Sequence, residues 1–194
     1  MRSYYEFFLK HGDLLQPSVS YPDEAASYFR FSFVRDPLRR CVSAYWNKIC
    51  FAPPGIADAE DGAYLNGVND QFFDLHYEPL GFRKGMAFEE FVQVLIMQPK
   101  QGMDSHLIPQ VSIINFDDRQ QVDFVGRVER FSEDIGRMFP EEISDLSSLR
   151  FNEGDAQPVT DVREEVFHNL VSYYADDYRW LRYEPLLPKD MRII

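Results

Sequence analysis

Cysteine is scarce in this chain: Cys41 and Cys50 are the only two among 194 residues. Nine positions apart along one predicted helix, they stand too far apart to bridge, so no disulfide framework is expected and a reducing compartment fits. Long apolar runs are also missing. No stretch approaches the ~20 residues needed to span a bilayer. The opening Met1 to Glu6, MRSYYE, lacks the apolar run of a signal peptide. No basic block offsets a net charge of -12, which argues against a nucleic-acid partner while leaving room for one anionic nucleotide held by a few local cations. No His, Cys, Asp and Glu group has metal-ligand spacing, so no metal is expected. Neither an internal repeat nor a low-complexity tract is visible.

What is present is apolar bulk. Hydrophobic residues make up 45% of the chain, with 17 Phe and 11 Tyr, enough for a substantial core in a single domain over 1–194. The most informative stretch is Phe31 to Lys48, FSFVRDPLRRCVSAYWNK. Phe31 to Val34 suit a short central strand. Asp36 is a good N-cap, and Pro37 falls at the first helical position, where its missing N–H is harmless. Leu38, Val42, Tyr45 and Ile49 then recur on one apolar helical face. Asp36, Arg40, Ser43 and Asn47 share the opposite face, and Arg35 at the strand end can swing toward it. An arginine, a hydroxyl and a helix N-terminus are components of a phosphate site; the plain alternative is an amphipathic helix with a solvated back.

Elsewhere, Tyr4 to Leu15 suggest an aromatic-rich helix, 16–23 a loop, and Glu24 to Phe29 a helical lead-in to the strand. Pro53, Pro54 and Gly55 form a firm stop after the central helix. Residues 52–85 read as a long irregular insertion with a short element at Asn69 to His76, either a lid over an acceptor or a passive surface loop. Phe88, Phe91, Val92, Leu95 and Ile96 mark an amphipathic helix ended by Pro99. Val111 to Asn115 and Val122 to Val125 are short β-like runs. Ser132, with Glu133 and Asp134, starts a short helix by hydroxyl capping. After a polar loop over 152–160, Asp161 and Glu164 open the last long helix, with Val162, Val166, Leu170 and Tyr173 on one face. His106 lies on a loop between elements, where it can serve proton transfer or simply bond a loop carbonyl. Gly126 permits a close backbone approach. Arg127 and Glu129 either border a site or form a structural pair.

Phe33, Val34, Arg35, Asp36 and Pro37, followed by Arg40, Ser43 and Tyr45, resemble the 3'-phosphate-binding segment of sulfotransferases that use 3'-phosphoadenosine 5'-phosphosulfate (PAPS). The match is nearest to the carbohydrate-type family 2, which includes the chondroitin and HNK-1 enzymes and many bacterial relatives. Three further stretches resemble that family in order: His106 with Pro109 and Gln110, the Asp123 to Glu129 run, and the Tyr174 to Tyr183 helix, read as core packing. Phe88 to Val92 also resembles a family helix. The resemblance implies an α/β fold related to P-loop nucleotide-binding proteins, a small and mainly parallel sheet flanked by helices. It implies transfer of a sulfuryl group from PAPS to a hydroxyl of a carbohydrate or other small acceptor, with PAP as product and no metal. Arg35 and Ser43 would hold the 3'-phosphate with Arg40 in support, and His106 would move the proton or orient the acceptor.

One family element finds no counterpart. A strand, a Lys- and Gly-containing loop and a hydroxyl at a helix start normally cradle the 5'-phosphosulfate. Lys10, His11 and Gly12 lack the preceding strand, and Lys84, Gly85 and Met86 lack the hydroxyl. The expectation is therefore a chain N-terminally incomplete relative to the family, and the alternative function is a shortened, non-catalytic module for nucleotide binding or protein interaction. A small-molecule kinase would need a Gly-rich Lys-Ser/Thr loop that is equally absent. Eukaryotic members of the family are usually Golgi-anchored and bacterial ones often are not. A bacterial cytoplasmic protein is expected, or a Golgi-lumenal one if an anchor has been removed.

Overall fold

A computed structural model of the chain describes residues 29–50, 70–100, 103–116, 119–120, 122–138, 161–187 and 191–194. The expected elements at 4–15, 16–23 and 152–160, the stop at Pro53 to Gly55 and the first part of the 52–85 insertion lie outside them. The architecture is α/β, short helices with small strand pairs, and the chain divides into two compact units. One comprises 1–33 and 120–154, the other 34–119 and 155–194, so the division falls inside the first strand.

In the smaller unit, strand β1 (Phe31–Val34) forms where its apolar run is expected to, and pairs with strand β4 (Phe124–Arg127), which begins two residues later than the run from Val122 to Val125. Arg30 ties the start of this pair together. Its carbonyl accepts the N–H groups of Asp123 and Phe124, while its guanidinium meets the Asp123 carboxylate at 3.3 Å. Gly126 is needed for packing: an added Cβ would stand 2.4 Å from the Phe33 ring, which itself lies 4.7 Å from the Phe131 ring. The close approach expected at Gly126 is present.

The strand does not continue to Glu129. A 3₁₀ turn (Val128–Arg130) follows and leads into helix α5 (Phe131–Met138). Ser132 therefore sits inside α5 instead of capping it. Inside the helix Asp134 is buried and accepts the Arg127 N–H at 2.7 Å across the turn. A carboxylate makes a stronger charge-assisted bond there than a hydroxyl.

The larger unit contains the main core. Helix α1 (Pro37–Lys48) begins as expected, with Asp36 Oδ1 accepting the Arg39 N–H at 2.9 Å and Pro37 in the first turn. Leu38, Tyr45 and Ile49 are buried, and Cys41 and Ala44 widen the apolar face. Helix α2 (Asp70–His76) confirms a short element in the insertion, and a 3₁₀ turn (Glu78–Leu80) follows it. Phe73, Tyr77 and Phe82 pack into the core, so this end of the insertion is structural. Helix α3 (Phe88–Met97) buries Phe88, Phe91, Val92 and Leu95, and the Glu90 carboxylate accepts the Ala87 N–H at its start.

Two expectations fail in this unit. Val111 to Ile114 form a one-turn helix, α4 (Val111–Ile114), and only Asn115–Phe116, strand β2, is extended. Val111 and Ile114 are buried while Ser112 and Ile113 face outward, a spacing that suits a helical turn and not a strand. Likewise Asp161 does not open a helix. With Val162 it makes strand β5 (Asp161–Val162), parallel to strand β6 (Arg192–Ile193), and its carboxylate pairs with Arg192. Strand β3 (Arg119–Gln120) lies between β2 and β4 in the sequence.

Helix α6 (Glu164–Tyr173) then carries Val166, Leu170 and Tyr173 inward as expected, and helix α7 (Ala175–Trp180) follows almost directly. Both cysteines are free, as their spacing requires. Burial pushes the Cys41 thiol up to about 12, so it behaves as a small core apolar group. Among the described residues no helix is long and apolar enough to cross a membrane.

Candidate functional site

At the head of α1 the backbone of Arg35 is held from both sides by one side chain. Its N–H donates to Gln110 Oε1 at 2.9 Å, and its carbonyl accepts from Gln110 Nε2 at 2.8 Å. Gln110 is fixed in turn by Asp177. That carboxylate accepts the N–H groups of Gln110 and Val111, each at 2.9 Å, and lies 3.4 Å from Gln110 Nε2. Burial pushes the Asp177 carboxyl up, and these donors offset part of the rise.

The Arg35 backbone is thus locked, while its guanidinium makes no hydrogen bond or ion pair among the described residues. A cation left available at a helix N-terminus is equipped to meet an anion. Farther along α1, Asn47 Nδ2 donates to Ser43 Oγ at 3.3 Å. The hydroxyl proton of Ser43 therefore stays available to donate elsewhere. In chemistry, these two groups fit a phosphate. Arg40, on the same helical stripe, is engaged differently: its guanidinium donates to the carbonyl of Ile108 at 2.8 Å and to that of Ser105.

Arg40 therefore holds the loop that carries His106. Tyr174 adds a second anchor, its buried hydroxyl donating to the Leu107 carbonyl at 2.7 Å. His106 does not bond a loop carbonyl through its ring. Its Nδ1 lies 2.6 Å from Asp104 Oδ1, and the same oxygen accepts its backbone N–H at 2.7 Å. The Tyr77 hydroxyl donates to Asp104 Oδ2. Burial alone would raise the Asp104 carboxyl, but the side-chain and backbone bonds from His106 and the bond from Tyr77 outweigh it and hold the group well below the usual carboxylate range.

His106, Asp104, Ser105 and Tyr77 line a cavity of about 380 Å³, together with Lys48 and His76 among others. Lys84 takes no part. It pairs with Asp74 and lies 5.3 Å over the Phe73 ring.

A family model described as "Sulfotransferase family" matches residues 5–184. The chain belongs to the sulfotransferase family. Over 175 residues it is 27% identical to carbohydrate sulfotransferase 14 of Danio rerio, a match covering 84% of this chain and 41% of that protein. The Mus musculus carbohydrate sulfotransferase 14 is 31% identical over 116 residues, 57% of this chain and 28% of that protein. The matched part of the chain thus spans less than half the length of these curated relatives. No solved structure matches.

Within this family member, Arg35 and Ser43, the residues the resemblance assigns to the 3'-phosphate, fall on a strand–turn–helix. His106 falls on the loop as anticipated. Three residues of the arrangement escaped sequence reasoning: Asp104, Tyr77 and Asp177. Asp104 had a local signal, a carboxylate two positions before a histidine. Asp177 had another, an acid on the same helical face as Tyr174 and Tyr178, where burial demands donors.

Proposed function

We propose that this chain carries the 3'-phosphate grip and the acceptor-side base of a PAPS-dependent sulfotransferase that sulfates a hydroxyl of a carbohydrate or other small acceptor. Arg35 and the Ser43 hydroxyl would hold the 3'-phosphate by charge-assisted and neutral hydrogen bonds. Arg40 would support them by fixing the His106 loop to the same helix. His106 Nε2 would take the proton released as the acceptor oxygen bonds to sulfur, while the S–O bond to the nucleotide breaks and PAP leaves. The leaving phosphate needs cationic or N–H donors, and the residues considered for that role at 10–12 lie outside the described residues.

The observation that carries this reading is the family match across the segment where Arg35 is gripped through its backbone while no described residue engages its guanidinium. Calorimetry with PAP tests it. Arg35→Ala is expected to weaken binding by about tenfold or more, since a charged hydrogen bond contributes roughly 1.5–3 kcal/mol, and Ser43→Ala by less. Unchanged binding in the combined Arg35→Ala, Ser43→Ala protein would overturn the assignment. PAP binding without sulfate transfer to any sugar would instead support the non-catalytic module.

A further inference from the structure

We propose that Asp104 and Tyr77 are positioning residues that hold His106 as its Nδ1–H tautomer and so present an unprotonated Nε2 at the cavity. The catalytic consequence rests on reading His106 as the proton acceptor; the tautomer does not. Asp104 Oδ1 faces two nitrogens of the same residue, the backbone N–H at 2.7 Å and Nδ1 at 2.6 Å. An oxygen that accepts the first of these and belongs to a carboxylate kept ionised has no proton to return. Nδ1 must therefore be the donor, and a neutral imidazole that donates through Nδ1 keeps its lone pair on Nε2. No described residue engages Nε2.

The carboxylate is itself prevented from turning. Its second oxygen accepts from Tyr77, whose ring is buried and stacked on Phe73 at 5.5 Å and 10°. On either side of His106 the chain is pinned through the Ser105 carbonyl by Arg40 and the Leu107 carbonyl by Tyr174. A simple turn cap would need only the backbone N–H bond. The Nδ1 contact and the buried hydroxyl behind it go beyond that need. The titratable groups sharing the cavity wall with His106 are Lys48, His76, Tyr77 and Asp104.

Two-bond proton–nitrogen correlation spectra of the full chain read the tautomer directly, with the His106 ring signals identified by their loss in His106→Gln. The wild-type protein is expected to show the Nδ1–H form in neutral imidazole, and Asp104→Ala to lose that preference. A wild-type ring that is mainly Nε2–H overturns the proposal whether or not the variant folds. So does a folded Asp104→Ala protein with an unchanged ring. In a sulfate-transfer assay Asp104→Ala should lower kcat by about tenfold or more with little change in KM for PAPS, part of the ~100- to 10,000-fold that a placed base supplies. Tyr77→Phe, which leaves the turn intact, should lower it less. A His106→Ala protein that keeps its kcat would sink the proton-acceptor reading alone, and the spectra would still decide the positioning.

Discussion

Asp104 and Asp177 grip opposite ends of one loop, and they do so in different physical states. Asp177 is wholly buried, accepts two backbone N–H groups, and is pushed up by desolvation. Asp104 is partly open to the cavity and is held down by His106 and Tyr77. The Gln110 end of the loop is therefore built for immobility, and through Gln110 it also fixes the backbone of Arg35. The His106 end keeps a reactive side chain at the surface while restraining its ring. One loop thus links the proposed nucleotide grip to the proposed base, with the stabilising contacts buried at one end and the chemistry exposed at the other.

The sharpest way to break this contrast is Asp177→Ala. It strands the N–H groups of Gln110 and Val111 in the interior and releases the clamp on Arg35, which should destabilise the protein by about 3 kcal/mol or more. Urea unfolding with an unchanged slope measures it. A loss under ~1 kcal/mol would show that Asp177 is no anchor. The pH dependence has a definite sign. A carboxyl raised in the folded state contributes stability that is fully present below its unfolded value of about 3.9 and is lost as pH rises through the folded value. The margin of wild type over Asp177→Asn should therefore shrink as pH rises above ~4.

The second test lies between the two ends. Arg40→Ala removes both guanidinium bonds to the loop carbonyls of Ser105 and Ile108, and leaves the loop anchored by the Tyr174 bond to the Leu107 carbonyl. The site is partly exposed, so the expected loss is about 1–2 kcal/mol, smaller than at Asp177. If Arg40 acts through the loop and not on the nucleotide directly, PAP binding should weaken far less than in Arg35→Ala when both are titrated by calorimetry. Equal weakening would place Arg40 in contact with the phosphate.

This contrast also separates what the sequence could and could not reveal. The cap at Asp36, Pro37 in the first turn and the buried face of α1 are local, settled by residues three and four apart, and all were legible. So was the apolar face of α3. The clamp was not, because Arg35 meets Gln110 across 75 positions and Gln110 meets Asp177 across 67. No periodicity carries such a contact. The same long-range contact explains the misread strand at Val111. An apolar run of this length is ambiguous between strand and buried helix turn. Two N–H groups bonded to Asp177 at its start favour the turn. His106 could be singled out by type and loop position, but the direction of its ring depends on Tyr77, which the sequence hid inside an apparent insertion.

The smallest effect is expected at the open end, and its sign should be opposite to that at Asp177. Asp104 is held below its ordinary range, so its contribution is present above the unfolded value of about 3.9 and disappears as pH falls through the folded value. The carboxyl is partly solvated and His106 is largely exposed, so screening limits the margin of wild type over Asp104→Asn to about 1 kcal/mol or less. That margin should close as pH falls below about 4, as followed by thermal melts over the series. The His106 ring cannot rescue it there, because a protonated imidazole still needs an ionised partner to gain from the contact. A margin that instead grew as pH fell below about 4 would mean that Asp104 is protonated in the folded protein. Its Oδ1 could then give a proton to the ring, and the argument for an Nδ1 donor would fail with it.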